Sequence, residues 1–248
     1  YSPAIGTPLT AGEHILRATF TPTDAANYSS IEATVSLTVG KATPAATFNV
    51  PSTITYGTKL GNDLLSATAS YNGTAVAGML SFTSDGKVQT ANDILTAGEH
   101  KLILTFTPTD AVNFSSVEKT TTLIVEKATP IITWDTPPTI TYSMPVGSPQ
   151  LSATVSYSGA RVAGTLSYTT EGNALKDGDI LPAGEHTLKV IFTPTDAANY
   201  SSVEKTTTLT VEKATPGITW ENPAAITYGT PVGDAQLNAA AISYNGTT

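Results

Sequence analysis

Hydrophobic and polar residues alternate along much of this chain with a period of two. Leu188, Val190 and Phe192 point one way, while Thr187, Lys189, Ile191 and Thr193 point the other. Leu102, Leu104 and Phe106 repeat the motif, and Thr121, Leu123 and Val125 alternate with Thr120, Thr122 and Ile124. Successive strand side chains leave opposite faces, so one apolar face and one Thr-rich face predict antiparallel strands buried on one side. No segment carries the apolar spacing of an amphipathic helix. Tyr71-Asn72-Gly73-Thr74 lies between two alternating runs, and Tyr244-Asn245-Gly246-Thr247 repeats it. Asn-Gly accepts the positive φ angles of a type I′ turn, which predicts a hairpin at each place. Ser158-Gly159 stands at the corresponding position between them.

The pattern recurs at long range. TPTDAANYSS begins at Thr21 and Thr193, and TPTDAVNFSS at Thr107, a constant step of 86 residues. KATP opens at Lys41, Lys127 and Lys213, and Gly-Glu-His begins at Gly12, Gly98 and Gly184. A period of this length is too long for a solenoid turn and suits a self-contained small domain. Boundaries drawn at KATP predict the C-terminal part of one module at 1–40. Complete modules follow at 41–126 and 127–212, with the N-terminal part of another at 213–248. About seven strands are expected per module, around Phe48, Ile54, Ala67, Leu80, Val88, Leu104 and Leu123. Seven short strands with turn signals every 8–12 residues predict an all-β fold of tandem Ig-like antiparallel β-sandwich modules, strung as an elongated rod. Phe48, Trp134 and Trp220 share one position and are expected in the cores.

KATP-x-ITW, ITYGT, AGEHTL, FTPTDAANYSS and TLTVEKATP together resemble the bacterial Ig-like repeats, of Big or MBG type, found in large surface and secreted proteins. The resemblance spans the whole chain. It implies an Ig-like sandwich in an extracellular or cell-surface setting, with a stalk, adhesin or matrix role. It implies no catalytic residues.

Composition narrows the partners. Charged residues make up only 13% of the chain, so Thr, Ser and Asn must supply much of the polar surface. Twelve Lys and Arg against 20 Asp and Glu give a net charge of −8. That sign disfavours nucleic acid and anionic membrane, which both require a basic patch. The absence of cysteine excludes disulfides, thiolate nucleophiles and thiolate metal sites, so apolar packing alone must hold each module. No run approaches the length of apolar chain needed to cross a bilayer. The chain opens at Tyr1 in mid-pattern and reads as part of a longer polypeptide.

Few residues offer chemistry. His14, His100 and His186 stand at one repeat position at the entry to a strand, in phase with core residues. Each has one neighbouring Glu and no nucleophile or ligand set beside it, so the ring is expected to cap the core edge. Asp24, Asp110 and Asp196 precede Asn27, Asn113 and Asn199 by three residues, a pattern for turns in which Asx side chains satisfy backbone N–H groups. In an Ig-type sandwich the two chain ends leave at opposite poles. Gly-Glu-His of one module should therefore face TPTD of the next, bringing Glu13 toward Asp110 and Glu99 toward Asp196. Paired carboxylates at such junctions are candidate calcium ligands, although a full shell needs six to eight oxygens. Asp177-Gly178-Asp179 is a fragment of a calcium loop without the remaining ligands. Asn27-Tyr28-Ser29 and Asn72-Gly73-Thr74 match the N-glycosylation pattern, as turn Asn followed by Ser or Thr does by chance.

A spacer, stalk or fibre segment is the function expected, with neighbouring modules and further copies as partners. A glycan- or protein-binding array is the alternative, and an enzyme would need a constellation the sequence does not contain. The 1–40 and 213–248 stretches together fall ten residues short of one period. A window on a longer chain accounts for this, with head-to-tail completion between subunits as the other reading.

Overall fold

In a computed structural model, residues 1–242 are described; the hairpin expected at Tyr244–Thr247 lies outside the described residues. The chain is nearly all β and divides into two compact units, Tyr1–Lys127 and Ala128–Thr248. The first holds β1 (Gly12–Phe20) and β2 (Ile31–Val39), then β3 (Ala45–Phe48), β4 (Thr53–Thr55), β5 (Ala67–Tyr71), β6 (Thr74–Ala75), β7 (Gly78–Ser84), β8 (Lys87–Val88), β9 (Gly98–Pro108) and β10 (Val117–Glu126). The second holds β11 (Ile131–Thr133), β12 (Ile140–Thr141), β13 (Thr154–Tyr157), β14 (Ala160–Arg161), β15 (Gly164–Thr170), β16 (Asn173–Leu175), β17 (Gly184–Pro194) and β18 (Val203–Glu212), followed by β19 (Gly217–Thr219) and β20 (Ala240–Ile242).

Both complete repeats are two-layer sandwiches. In 127–212 a three-stranded sheet, β11-β13-β14, lies over a five-stranded sheet, β12-β18-β17-β15-β16. In 41–126 the layers are β3-β5-β6 and β4-β10-β9-β7-β8. The first strand of each repeat is broken. Its front half pairs antiparallel in the small sheet, and its back half crosses to run parallel to the last strand of the large one. That strand exchange ties the layers together at one edge.

The alternation dictates which side is buried. Leu188, Val190, Phe192, Leu209 and Val211 are buried, as are Leu102, Leu104, Phe106, Leu123 and Val125. Ile124, at the odd position, stays exposed. The shared aromatic position closes the layers in both repeats, with a difference in chemistry. Phe48 meets Phe82 at 5.4 Å, whereas Trp134 meets Tyr168 edge-on at the same separation. The polar tips are satisfied: the Trp134 indole N–H donates to Gln150 O at 3.0 Å, and the Tyr168 hydroxyl donates to Leu151 O at 2.9 Å. Burial pushes the Tyr168 phenol above its ordinary value.

The structure departs from expectation in three places. One turn of α-helix, α1 (Gly61–Leu64), follows Leu60, which is fully buried; four residues are too few to show a helical period. The small sheet also carries an extra two-residue strand, β6 or β14, closed by the expected type I′ turns at Asn72-Gly73 and Ser158-Gly159. Thirdly, Trp220 is not a core residue. Its indole N–H still donates to Gln236 O at 3.0 Å, as Trp134 does to Gln150 O, but the ring is 58% exposed. Among the described residues, the 213–242 stretch has one strand pair, β19–β20, and no counterpart of β15, β17 and β18 to cover the ring.

Candidate functional site

The histidines sit where β1, β9 and β17 begin, with ring Nε2 against the carbonyl four residues earlier: Thr10 O at 2.7 Å, Thr96 O at 2.8 Å and Pro182 O at 2.8 Å. His100 and His186 are buried at the core edge. Their acidic partners are not the adjacent Glu99 and Glu185. His100 Nδ1 lies 3.0 Å from Asp85 Oδ2, and His186 Nδ1 lies 3.7 Å from Glu171 Oε1. Both acids occupy the first central position of tight hairpins, Asp85-Gly86 and Glu171-Gly172, with positive φ at all four residues. The Asp-Gly turn signal stood in the sequence between the strands expected around Leu80 and Val88.

Around His100 a serine, an aspartate and a histidine come together in an open depression that also includes Lys87 and Asp93. The order is wrong for nucleophilic catalysis. The Ser84 hydroxyl donates to Asp85 at 3.4 Å, and the imidazole nitrogen that a nucleophile would need faces a backbone carbonyl instead. In 127–212 the serine's place is taken by Thr170, whose hydroxyl donates to Thr187 O at 3.2 Å. This cluster fastens a hairpin to the core edge.

The junction is built from the TPTD loop. Asp110 Oδ1 accepts the Asn113 backbone N–H at 3.1 Å, and Oδ2 accepts its side-chain amide at 2.7 Å. The Asn113 side chain, then its backbone N–H, hold the Asp110 carboxyl below the ordinary carboxylate range. With its amide so fixed, Asn113 turns its own Oδ1 outward and accepts the Ala11 N–H at 2.8 Å, a bond from one repeat to the next. The linker is bound in the same place: Lys41 Nζ donates to Ala111 O at 2.7 Å, and Ala42 exchanges bonds with Asn113 O and Ser115 N at 2.8 and 2.9 Å. Thus Gly-Glu-His of 1–40 does approach TPTD of 41–126, but the bond made there joins Ala11 to Asn113. Asp196 accepts from Asn199 at 3.2 and 2.8 Å, and Asp24 from Asn27 at the same two distances. Glu13 and Glu99 are exposed, and among the described residues no three His, Asp or Glu side chains gather as a metal-binding group. The corner aromatics pack edge-on against the small-sheet hairpins, Phe114 on Tyr71 at 5.8 Å and Tyr200 on Tyr157 at 6.0 Å.

The remaining surface of note is apolar. The face of β1–β2 that corresponds to the buried face of β17–β18 presents Phe20, Ile31, Val35 and Leu37 to solvent. On the same face, residues of 1–5 with Leu16, Ala18, Ala33 and Val35 line a groove of about 320 Å³. Ile218, Trp220, Val232 and Leu237 form a second exposed set.

These are Ig-like β-sandwiches. No protein-family model and no curated protein matches the chain. Among solved structures it is similar to the fibronectin(III)-like modules of CbhA from Clostridium thermocellum, at 16% identity and a TM-score of 0.26, over 68% of this chain and 95% of that one. No helix among the described residues is long and apolar enough to cross a membrane.

Proposed function

We propose that the chain is a spacer or stalk segment of a bacterial extracellular or cell-surface protein, built from bacterial Ig-like repeats and supporting adhesion or the formation of a matrix or filament. The observation that supports this most is the junction. Asn113, held by Asp110, accepts from Ala11 while the Lys41–Ala42 linker is bonded into the same loop. A spacer transmits position only if its joints resist bending, and a joint with bonds on both sides of the linker does so. Pro44, directly after it, limits bending further. A binding array would instead present convergent polar groups around an aromatic floor, whereas the one convergent cluster described, at His100, is spent on its own hairpin.

Small-angle scattering on the whole chain and on Asn113→Ala tests the reading. Loss of the Asn113 bond should broaden the distribution of interdomain distances while the melting temperature of the 127–212 sandwich, which the substitution does not touch, holds. Identical scattering from both proteins would remove the argument from the junction, and saturable binding on a glycan array would favour the binding-module alternative.

A further inference from the structure

Successive residues of an antiparallel strand send their N–H and C=O groups to opposite sides. In 127–212 the Thr195 N–H donates to Ala163 O at 3.0 Å, and the register continues with Thr165 opposite Thr193 and Ser167 opposite Ile191. Odd-numbered residues of β15 therefore bond to β17, and even-numbered ones turn their main-chain groups away from it. On that far side β16 reaches only Tyr168, Thr169 and Thr170. Gly164 and Leu166 thus hold out two N–H and two C=O groups with no strand beside them. Such a bare edge is a template for another strand. Next to it, β14 pairs over Ala160 and Arg161 alone, and a groove of about 410 Å³ opens between the layers. Val155, Val162, Leu166 and Phe192 make its walls apolar, and Arg161 is the one charged residue on its lining. Arg161 is exposed and forms no ion pair among the described residues.

We propose that the free edge of β15 takes up an extended peptide of another protein as an added strand. One apolar side chain of the peptide fills the groove, and an Asp or Glu two residues along meets Arg161. Both point inward, because side chains two apart share one face of a strand. Main-chain bonds to Gly164 and Leu166 attract any strand, whereas the groove and the unpaired guanidinium select this one. The 41–126 repeat supplies a built-in control. It has the same bare edge at Gly78 and Leu80, with the Thr109 N–H on Ala77 O at 2.9 Å. There, however, Ala75 stands for Arg161 and Ala69 for Val155, so charge and apolar wall are both reduced. The proposal goes beyond the spacer reading and uses none of the residues of the Asn113 junction.

The test is to pan a phage library of random peptides, each about eight residues long, on the whole chain, and to follow a synthesised winner by NMR. Winners should share an apolar residue with an acid two positions away. The Gly164 and Leu166 amides should exchange freely in the chain alone and at least about 10-fold more slowly with peptide bound. The Gly78 and Leu80 amides should change less. Arg161→Glu, at an exposed position, should weaken the peptide about 10-fold, and a peptide with Lys in place of its acid should bind that variant in turn. No enrichment over the bare support overturns the proposal. Winners that bind Arg161→Glu as tightly as wild type overturn it too, as does exchange protection that misses Gly164 and Leu166. Self-association of the wild-type chain that protects the same two amides would put a second copy on the edge and also overturn it. None of these failures would alter the scattering difference expected for Asn113→Ala.

Discussion

The β1–β2 and β17–β18 hairpins share the same register, His14 opposite Leu37 and His186 opposite Leu209, and nearly the same residues. Yet Phe192 is 1% exposed and Phe20 63%, and Leu209 is fully buried where Leu37 is 39% exposed. The difference lies in what stands opposite. β11, β13 and the Trp134 ring close over the first face, and the 1–40 stretch contains no such layer. Alternation therefore specifies that a strand has an apolar side. Burial of that side is a property of the partner layer.

Truncating the shared aromatic breaks this comparison most sharply. Phe192→Ala should cost the 127–212 sandwich about 3–5 kcal/mol, because a buried ring leaves a cavity in a closely packed interior. Phe20→Ala should cost less than about 1 kcal/mol, since little area returns to water. Urea unfolding of both variants checks the pair. Equal losses would mean that the β1–β2 face is covered after all.

A smaller effect is expected at the entry to β15, the strand that 1–40 lacks. A Cβ on Gly164 would run into both the Phe192 ring and Thr193 O, and Gly78 repeats this against Phe106 and Thr107 O. One obstacle is backbone and cannot swing aside. Gly164→Ala should therefore destabilise the 127–212 sandwich by about 1–3 kcal/mol, read from the same urea transitions. The counterpart ring, Phe20, has no such neighbour strand in its own stretch. The penalty thus belongs to the closed sandwich and not to the aromatic.

Much of this was legible in the sequence, and the remainder was hidden for physical reasons. Period-two alternation marked Leu102, Leu104, Phe106 and their equivalents as core, and Asn72-Gly73 named its turn, because both signals are local. The partner of His100 was not visible in this way. Asp85 is fifteen residues away and arrives only because a hairpin folds it back, while the neighbouring Glu99 points out from the strand. Gly164 likewise reads as an ordinary strand-end glycine until the Phe192 ring is seen beneath it. At the junction the meeting of the two poles followed from topology. The bonding atoms did not, since Asp110 is committed to Asn113 and leaves the amide oxygen to make the bond.

The smallest expected effect separates the TPTD loop that serves a junction from one that only turns the chain. Asp110 titrates below the ordinary carboxylate value of about 3.9 because the Asn113 side chain and backbone donate to its charged form. A carboxyl depressed in the folded state adds stability above its unfolded value and loses that contribution as pH falls through the folded one. Wild type should therefore out-melt Asp110→Asn at neutral pH, with the gap closing as the solution is taken below the carboxylate range. The carboxylate also orients the Asn113 oxygen that accepts from Ala11. Asp110→Asn should thus shift the Ala11 amide resonance, whereas Asp24→Asn, in a loop whose Asn27 is bonded within its own turn, should leave that resonance unmoved. Acid melts that superimpose for wild type and Asp110→Asn would show that the Asp–Asn pair shapes the turn without strengthening the joint.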